Sequence, residues 1–137
     1  MSQGGWALRT AVFAAIAGDT SIQALIGNPA RIYDDVSADA AFPFVTLGDG
    51  DTRAWSTKDE TGTEHTITLN VWSRYEGHKE CQQILEALQT ALHDAALSLT
   101  GHRLVNLRFT SSGIIRDPDG ATTHGVMRFR AVTETAT

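Results

Sequence analysis

The feature that most constrains the fold of this chain is a run of alternating side chains from Thr63 to Ser73. Every second residue of the run is suited to a buried face, in the order His65, Ile67, Leu69, Val71 and Ser73. The residues between them are mostly polar, and this period of two is typical of a strand with one buried face. A second strand-like run, Phe44–Leu47, precedes it, so the stretch predicts a β-hairpin.

The connection between these two runs is long and polar. Compact hairpins need only about two to five residues, whereas the glycine-punctuated segment here covers residues 48–62. We therefore predict a flexible loop over 48–62. Such a loop is either a disordered tip or a surface that a partner orders. It carries the large aromatic side chain of Trp55 among charged residues.

Helices are predicted where apolar residues recur at spacings of three and four. One such segment runs from Trp6 to Ala17, and a short second helix follows through Ile22–Ile26. Asp19 or Thr20 can cap that second helix. The clearest helix runs from about His78 to Ala95, with Cys81 on its apolar side.

Two further strands are predicted near the end of the chain. In Arg103–Ser111 the alternation places Val105, Leu107 and Phe109 inward, and a fourth strand covers Gly125–Val132. The sequence Asp117-Pro118-Asp119-Gly120 between them is a strong reverse-turn signal.

The order of elements is helix, helix, short extended piece at 31–33, hairpin, helix, hairpin. This order predicts an α+β fold, a mostly antiparallel sheet of about four to five strands with two or three helices on one face. The length of 137 residues is that of a single domain, 1–137, whose ends at 1–5 and 133–137 we expect to fray.

Composition narrows the classes of function. The net charge of −5 and the scattered Lys and Arg residues argue against a dedicated nucleic-acid binder. The single cysteine, Cys81, excludes an internal disulfide and a cysteine-based zinc site. The sequence has no apolar run long enough to span a membrane and no signal-peptide pattern at its start. We expect a protein of the cytoplasm or of something assembled there.

The residue patterns of common active sites are missing. None of the five histidines has metal-ligand spacing, and the paired aspartates sit in turn sequences that need no metal. The sequence contains no phosphate loop, dinucleotide fingerprint or nucleophile elbow. We therefore predict no catalytic residue, no cofactor and no bound metal.

Two features remain that folding explains poorly. One is the loop tryptophan with its flanking cations, because Trp and Arg are favoured at interfaces. The other is a stripe of arginines on the outward faces of the last two strands, for which a solvated sheet edge is an equally good explanation. Two unlike, complementary surfaces on one molecule allow a head-to-tail ring. The candidate interface residues are Arg53, Trp55, Lys58, Arg108, Arg128 and Arg130.

Several segments, in order along the chain, resemble a family of small tail-completion proteins of phages, prophages and phage-like gene-transfer agents. Each segment is structural in character, so the resemblance rests on their number and succession from about Leu8 to Val132. The segments are Arg31–Val36, Phe42–Gly48, Trp55–Lys58, Leu69–Arg74, Ala91–His93, Arg116–Gly120 and His124–Arg130.

The resemblance implies a tail terminator, a virion structural protein located at the head-proximal end of the tail and assembled in the bacterial cytoplasm. Such a protein forms a homo-oligomeric ring, expected to be a hexamer, that caps the tail tube and stops its polymerisation. Its other partner is the head-side stopper or connector, and DNA passes through the ring without specific binding. Two alternatives remain open: a head–tail stopper or adaptor ring, and a small cytoplasmic enzyme of unknown reaction.

Overall fold

The structure, a computed structural model, describes residues 4–34, 40–56, 61–75 and 77–135. This part of the chain contains three helices and seven strands. In chain order they are α1 (Gly5–Ala17), α2 (Thr20–Ile26), β1 (Ile32–Tyr33), β2 (Phe44–Leu47), β3 (Thr52–Ser56), β4 (Thr61–Ser73), α3 (Lys79–Leu92), β5 (Ser98–Leu99), β6 (His102–Arg116) and β7 (Thr123–Thr135).

The strands form one sheet in the order β1-β2-β4-β7-β6-β5, and β3 pairs with β4 beside β2. All pairs are antiparallel except β1 with β2. The predicted α+β class and mostly antiparallel sheet are confirmed, but the predicted strand count of four to five is too low. The short extended piece predicted at 31–33 is β1, and the missed strands are β3 and β5. These give no alternation to detect, because β5 has two residues and β3 is mostly polar.

Helix α3 packs on one face of the central strands β4, β7 and β6, and α1 and α2 pack against α3. The odd-numbered residues of β4 from His65 to Ser73 are buried on this side, as the alternation predicted. Gly125 of β7 marks the closest approach, since a Cβ there would lie 2.7 Å from Cys81 Sγ. We call this side the helix face and the opposite side of the sheet, which bears no helix in the described part of the chain, the open face.

A bulge in β6 changes which of its residues face the core, so the predicted inward position of Val105 is wrong. The register shifts between Leu104 and Asn106 and again between Phe109 and Ser111. Leu107 is buried as predicted, but Val105 is 40% exposed and Leu104 packs against the core instead. An extra residue in one strand breaks strict alternation, which is why the sequence pattern misplaced Val105.

Part of the predicted loop, Thr52–Ser56, is strand β3. Strand β2 ends with Leu47 opposite Leu69, and β3 begins with Thr52 opposite His65, on the same side of β4. Between them the Gly48 amide donates to the Thr68 carbonyl at 2.7 Å, so β2 and β3 act as one interrupted strand. The prediction of one flexible loop over 48–62 is therefore wrong for Thr52–Ser56, and residues 57–60 lie outside the described residues.

The interruption requires glycine. A Cβ at Gly50 would lie 2.0 Å from the carbonyl oxygen of Thr66, well inside contact distance. On either side of this point the strands stay joined, since the Thr66 amide donates to the Asp51 carbonyl at 2.9 Å. The glycines that suggested a flexible loop therefore allow close backbone approach.

The described chain ends belong to regular elements. Gly5 begins α1, and β7 continues to Thr135, opposite His102 of β6. Thr133 is buried in this pairing, where the sequence suggested a frayed end from 133 to 137. Residues 1–3 and 136–137 lie outside the described part.

Candidate interaction surface

The structure brings the predicted arginines together on the open face. Arg108 of β6 lies directly opposite Arg130 of β7, and Arg128 lies opposite Thr68 of β4. Directly paired residues share one face of a sheet, so the three side chains form a cluster across the central strands. The predicted basic stripe therefore exists as a surface feature.

Two of these arginines have carboxylate partners. Arg130 contacts Glu64 of β4, with Nη2 2.6 Å and Nε 2.7 Å from Oε2. Arg108 Nε lies 2.9 Å from Asp94 Oδ1 at the end of α3. Arg128 is exposed and makes no ion pair with any described residue. Exposed ion pairs add only about 0–1 kcal/mol each to the free energy of unfolding, so these two pairs contribute little to stability. Their effect is to fix the positions of the two arginine side chains.

The other described candidates, Arg53 and Trp55, lie on β3 rather than on a loop. Arg53 is opposite Glu64 and Trp55 is opposite Gly62, so both point to the open face. Trp55 is half-buried and covers the glycine, since a Cβ at Gly62 would lie 2.9 Å from Trp55 Cε3. Lys58, the remaining candidate, lies outside the described residues. All the candidates that the structure describes thus share one face.

Sequence reasoning missed an aromatic ladder on the same face. It crosses four neighbouring strands through Tyr33, Phe44, Trp72 and His124. Successive ring centroids are 5.9, 6.4 and 3.9 Å apart, and the last two rings are nearly parallel at 11°. Ile115 of β6 lies opposite His124 and is 58% exposed, so it extends the ladder to the fifth strand. Trp72 on the otherwise polar face of β4 was the available signal.

Hydrogen bonds fix the polar ends of this ladder. His124 Nε2 lies 2.8 Å from Asn70 Oδ1, and Trp72 Nε1 donates to Thr46 Oγ1 at 3.2 Å. Burial lowers the pKa of His124, although Asp117 acts in the opposite direction. A neutral imidazole is therefore favoured between Asn70 and the indole ring, and the ladder is a firm, uncharged surface near neutral pH.

A second buried histidine ties three strands together on the helix face. His65 Nε2 lies 2.9 Å from Thr133 Oγ1 of β7, and Nδ1 lies 3.3 Å from Thr52 Oγ1 of β3. Burial lowers the pKa of His65, and the nearby His102 lowers it further. The arrangement is structural, because both ring nitrogens are engaged by hydroxyl groups of neighbouring strands.

A largely apolar cavity of about 250 Å³ opens beside α1. Trp6, which is 74% exposed, stands at it, and Phe13 and Leu47 provide apolar walls. Arg9 pairs with Asp34 there and also donates to the Gly48 carbonyl at 3.0 Å. The apolar walls that its described lining residues provide suit the cavity to an apolar side chain.

Other features with chemical potential are structural. Burial, with a contribution from Glu80, raises the pKa of the Cys81 thiol to about 11, so it is a poor nucleophile. Within the described ranges, no group of three or more His, Cys, Asp or Glu residues could hold a metal ion. No described helix is long and apolar enough to cross a membrane.

Comparison with known proteins gives the family. Residues 10–134 match the family model described as tail completion protein gp17. The tail completion protein gp17 of Bacillus phage SPP1 is 27% identical over 110 residues, which cover 80% of this chain and 81% of that protein.

Solved structures agree. A chain from the virion of a native gene transfer agent particle is 27% identical, with a TM-score of 0.88 over 98% of this chain and 99% of that one. The structure of bacteriophage SPP1 gp17 matches with a TM-score of 0.65 at 23% identity, covering 96% of this chain and 90% of that one, which supports the fold alone. The resemblance drawn from the sequence is confirmed: the chain belongs to the tail completion protein gp17 family.

Proposed function

We propose that this protein is a structural component that completes the tail of a phage or phage-like particle, acting as a tail terminator. The observation that carries the proposal is the match over 98% of the chain to a chain from a gene transfer agent virion, at 27% identity. The match also covers 99% of that chain. The named relative from phage SPP1 is itself a tail completion protein.

The terminator acts by binding rather than by chemistry. Copies of the chain form a ring, expected to be a hexamer, that caps the tail tube and presents its other side to the head-side connector. The open face supports this role, because it combines the aromatic ladder with Arg53, Trp55 and the exposed Arg128. Aromatic and arginine side chains carry a large share of binding energy at protein interfaces.

The charges are compatible with passage of DNA through the ring. Arg108 and Arg130 already face carboxylates, and Arg103 pairs with Glu134 on the same face. Paired arginines attract phosphate less strongly than free ones, which is compatible with DNA passing the ring without specific binding.

The experiment uses the purified full-length protein and separately assembled tail tubes. Native mass spectrometry of the protein tests for a ring, and electron microscopy of mixtures tests for added density at one end of each tube. Rings that cap one tube end and prevent further elongation support a terminator. Rings that bind only the head-side connector would instead indicate a stopper or adaptor. Protein that stays monomeric and leaves tube growth unchanged would contradict the proposal.

A further inference from the structure

The sheet has an unpaired edge on β6. This strand pairs with β7 along its length, but on its other side β5 covers only Arg103 and His102. Beyond these, the Leu107 carbonyl accepts from the Asp94 amide at 2.8 Å, and the Phe109 amide donates to His93 Nδ1 at 3.0 Å. From Ser111 to Arg116, no described residue pairs with the outer side of the strand.

A second unpaired edge lies at the opposite margin of the sheet. Strand β3 pairs with β4 over Thr52–Ser56, and no other described strand pairs with it. The two edges are unlike: β6 is a long strand of a hairpin with β7, whereas β3 has five residues and is followed in sequence by the charged residues Lys58, Asp59 and Glu60. Two unlike edges on opposite margins suit a head-to-tail contact between copies.

Beyond the register shift between Phe109 and Ser111 and the charge of Arg116, the β6 edge has little protection against pairing. Monomeric proteins protect edges with Lys, Pro, bulges or covering elements, and Ser111–Arg116 contains neither Lys nor Pro. Its side chains are exposed on both faces of the sheet, among them Ser112 and Arg116 on the helix face. Ile115, on the open face, is 58% exposed. A regular, exposed strand with an apolar residue is a favourable site for an added strand.

We propose that Ser111–Arg116 of one copy pairs with Thr52–Ser56 of the next, so that the sheet continues from subunit to subunit around the ring. The inference rests on the proposed ring and specifies how its subunits join. β6 runs in the direction of β4, and β3 runs against it. Rotation about an axis along the strands preserves direction, so the two edges meet antiparallel without rearrangement.

The offset between the edges fits a closed sheet. The positions of the two edges can be compared on β4. Gly113 of β6 is opposite Val126 of β7, which is opposite Asn70 of β4. Ala54 of β3 is opposite Thr63 of β4, which lies seven residues from Asn70. At about 3.3 Å per residue, this is an offset of about 23 Å. From one edge to the other, each copy would contribute four strands, β3, β4, β7 and β6, which span roughly 19 Å across the sheet. An offset of about 23 Å along the strands over this width corresponds to a strand tilt of roughly 50° from the ring axis. Strands in closed sheets tilt by about 35–45°, so the diagonal placement is close to what closure requires.

Side chains at the two edges are complementary. Trp55 and Ile115 both point to the open face, so pairing would bring a half-buried indole beside an exposed isoleucine. This contact arises with Ala54 opposite Ile114, where Ile115 lies opposite Arg53 and diagonally beside Trp55 of the next copy. The side-chain complementarity of the contact therefore rests on this apolar pair.

The test is a disulfide scan in the full-length protein. Ala54, Ser112 and Ile114 share the helix face, so the double variants Ala54→Cys/Ser112→Cys and Ala54→Cys/Ile114→Cys place thiols on one side of the proposed joint. The matched control is Ala54→Cys/Ser111→Cys, which places them on opposite faces. Native Cys81 is buried and stays in every variant. We expect at least one same-face pair to give cross-linked multimers on oxidation, and the control to give none.

A second measurement does not depend on register. Ile115→Lys adds a charge to the proposed joint, and Val105→Lys is its control at another exposed apolar position of β6. We expect Ile115→Lys to raise the protein concentration needed for ring formation about tenfold or more, without changing monomer stability, and Val105→Lys to leave it unchanged. Rings that form normally in Ile115→Lys, with no same-face cross-link above control, would overturn the strand pairing and leave the ring intact. A parent protein that forms no ring would overturn both proposals.

Discussion

Replacing Gly50 by alanine tests whether residues 48–51 form a tight strand interruption. The added Cβ would lie 2.0 Å from the Thr66 carbonyl oxygen, so the backbone of β3 or β4 must move. That movement strains the Thr66 amide to Asp51 carbonyl bond on one side and the Gly48 amide to Thr68 carbonyl bond on the other. Overpacking costs about 1–3 kcal/mol and each lost hydrogen bond about 1 kcal/mol. We expect Gly50→Ala to lower the free energy of unfolding by about 2–4 kcal/mol.

The matched control is Gly113→Ala, because a Cβ at Gly113 has no atom within 4 Å and its backbone needs no positive φ. Its effect on monomer stability should stay within about 0.5 kcal/mol. The assay is urea denaturation of the monomer, with the unfolding midpoint and slope fitted for both variants. Equal midpoints for Gly50→Ala and Gly113→Ala would refute the close approach, since a true loop at 48–51 would accommodate the methyl group.

Three further outcomes are expected. Burial lowers the pKa of His65 and His124 below the 6.5 of an unfolded chain, so the unfolded state binds more protons than the folded state. The urea midpoint should therefore fall as the pH drops below 6.5. A midpoint that stays constant down to about pH 5.5 would contradict this expectation. Trp55→Ala should lower stability by only about 1 kcal/mol through its lost contact with Gly62 but impair ring or tail assembly strongly; a large stability loss with normal assembly would make Trp55 merely core. Arg128→Ala should leave the urea midpoint unchanged while weakening assembly, and unchanged assembly would remove Arg128 from the interface.

The sequence predicts the long, regular elements well. The alternation from His65 to Ser73 identifies β4 and its buried face, because half-buried strands need a period of two. The apolar spacing around Cys81 identifies α3, because a helix with one buried face repeats its apolar residues every three or four positions. The Asp117–Gly120 turn also forms, with the Gly120 amide donating to the Asp117 carbonyl at 2.9 Å.

The remainder depends on contacts distant in sequence. β3 has no apolar alternation of its own, and it becomes a strand because β4 offers a free edge opposite Thr61–His65. The bulge at Val105 depends on the register against β7, which single-strand patterns do not contain. The aromatic ladder is assembled from four strands, so only the sheet order makes it visible.

The candidate surface was predicted in part. The arginines of β6 and β7 were assigned to outward positions, and the structure adds that Glu64 and Asp94 hold two of them. Trp55 was assigned to a partner-ordered loop, but it lies on a strand over Gly62. Trp55 is half-buried, so only the exposed part of its ring can contact a partner. Its role at an interface stays a proposal.

Tail length in particles that lack this protein tests the central claim most directly. A terminator stops tube growth, so its absence should give overlong or headless tails in electron micrographs, and supplying the protein from a plasmid should restore normal length. A supplied Arg128→Ala variant should restore length less well, whereas Val105→Lys, which lies outside the proposed strand pairing, should match the parent. Tails of normal length in particles without the protein would contradict the account.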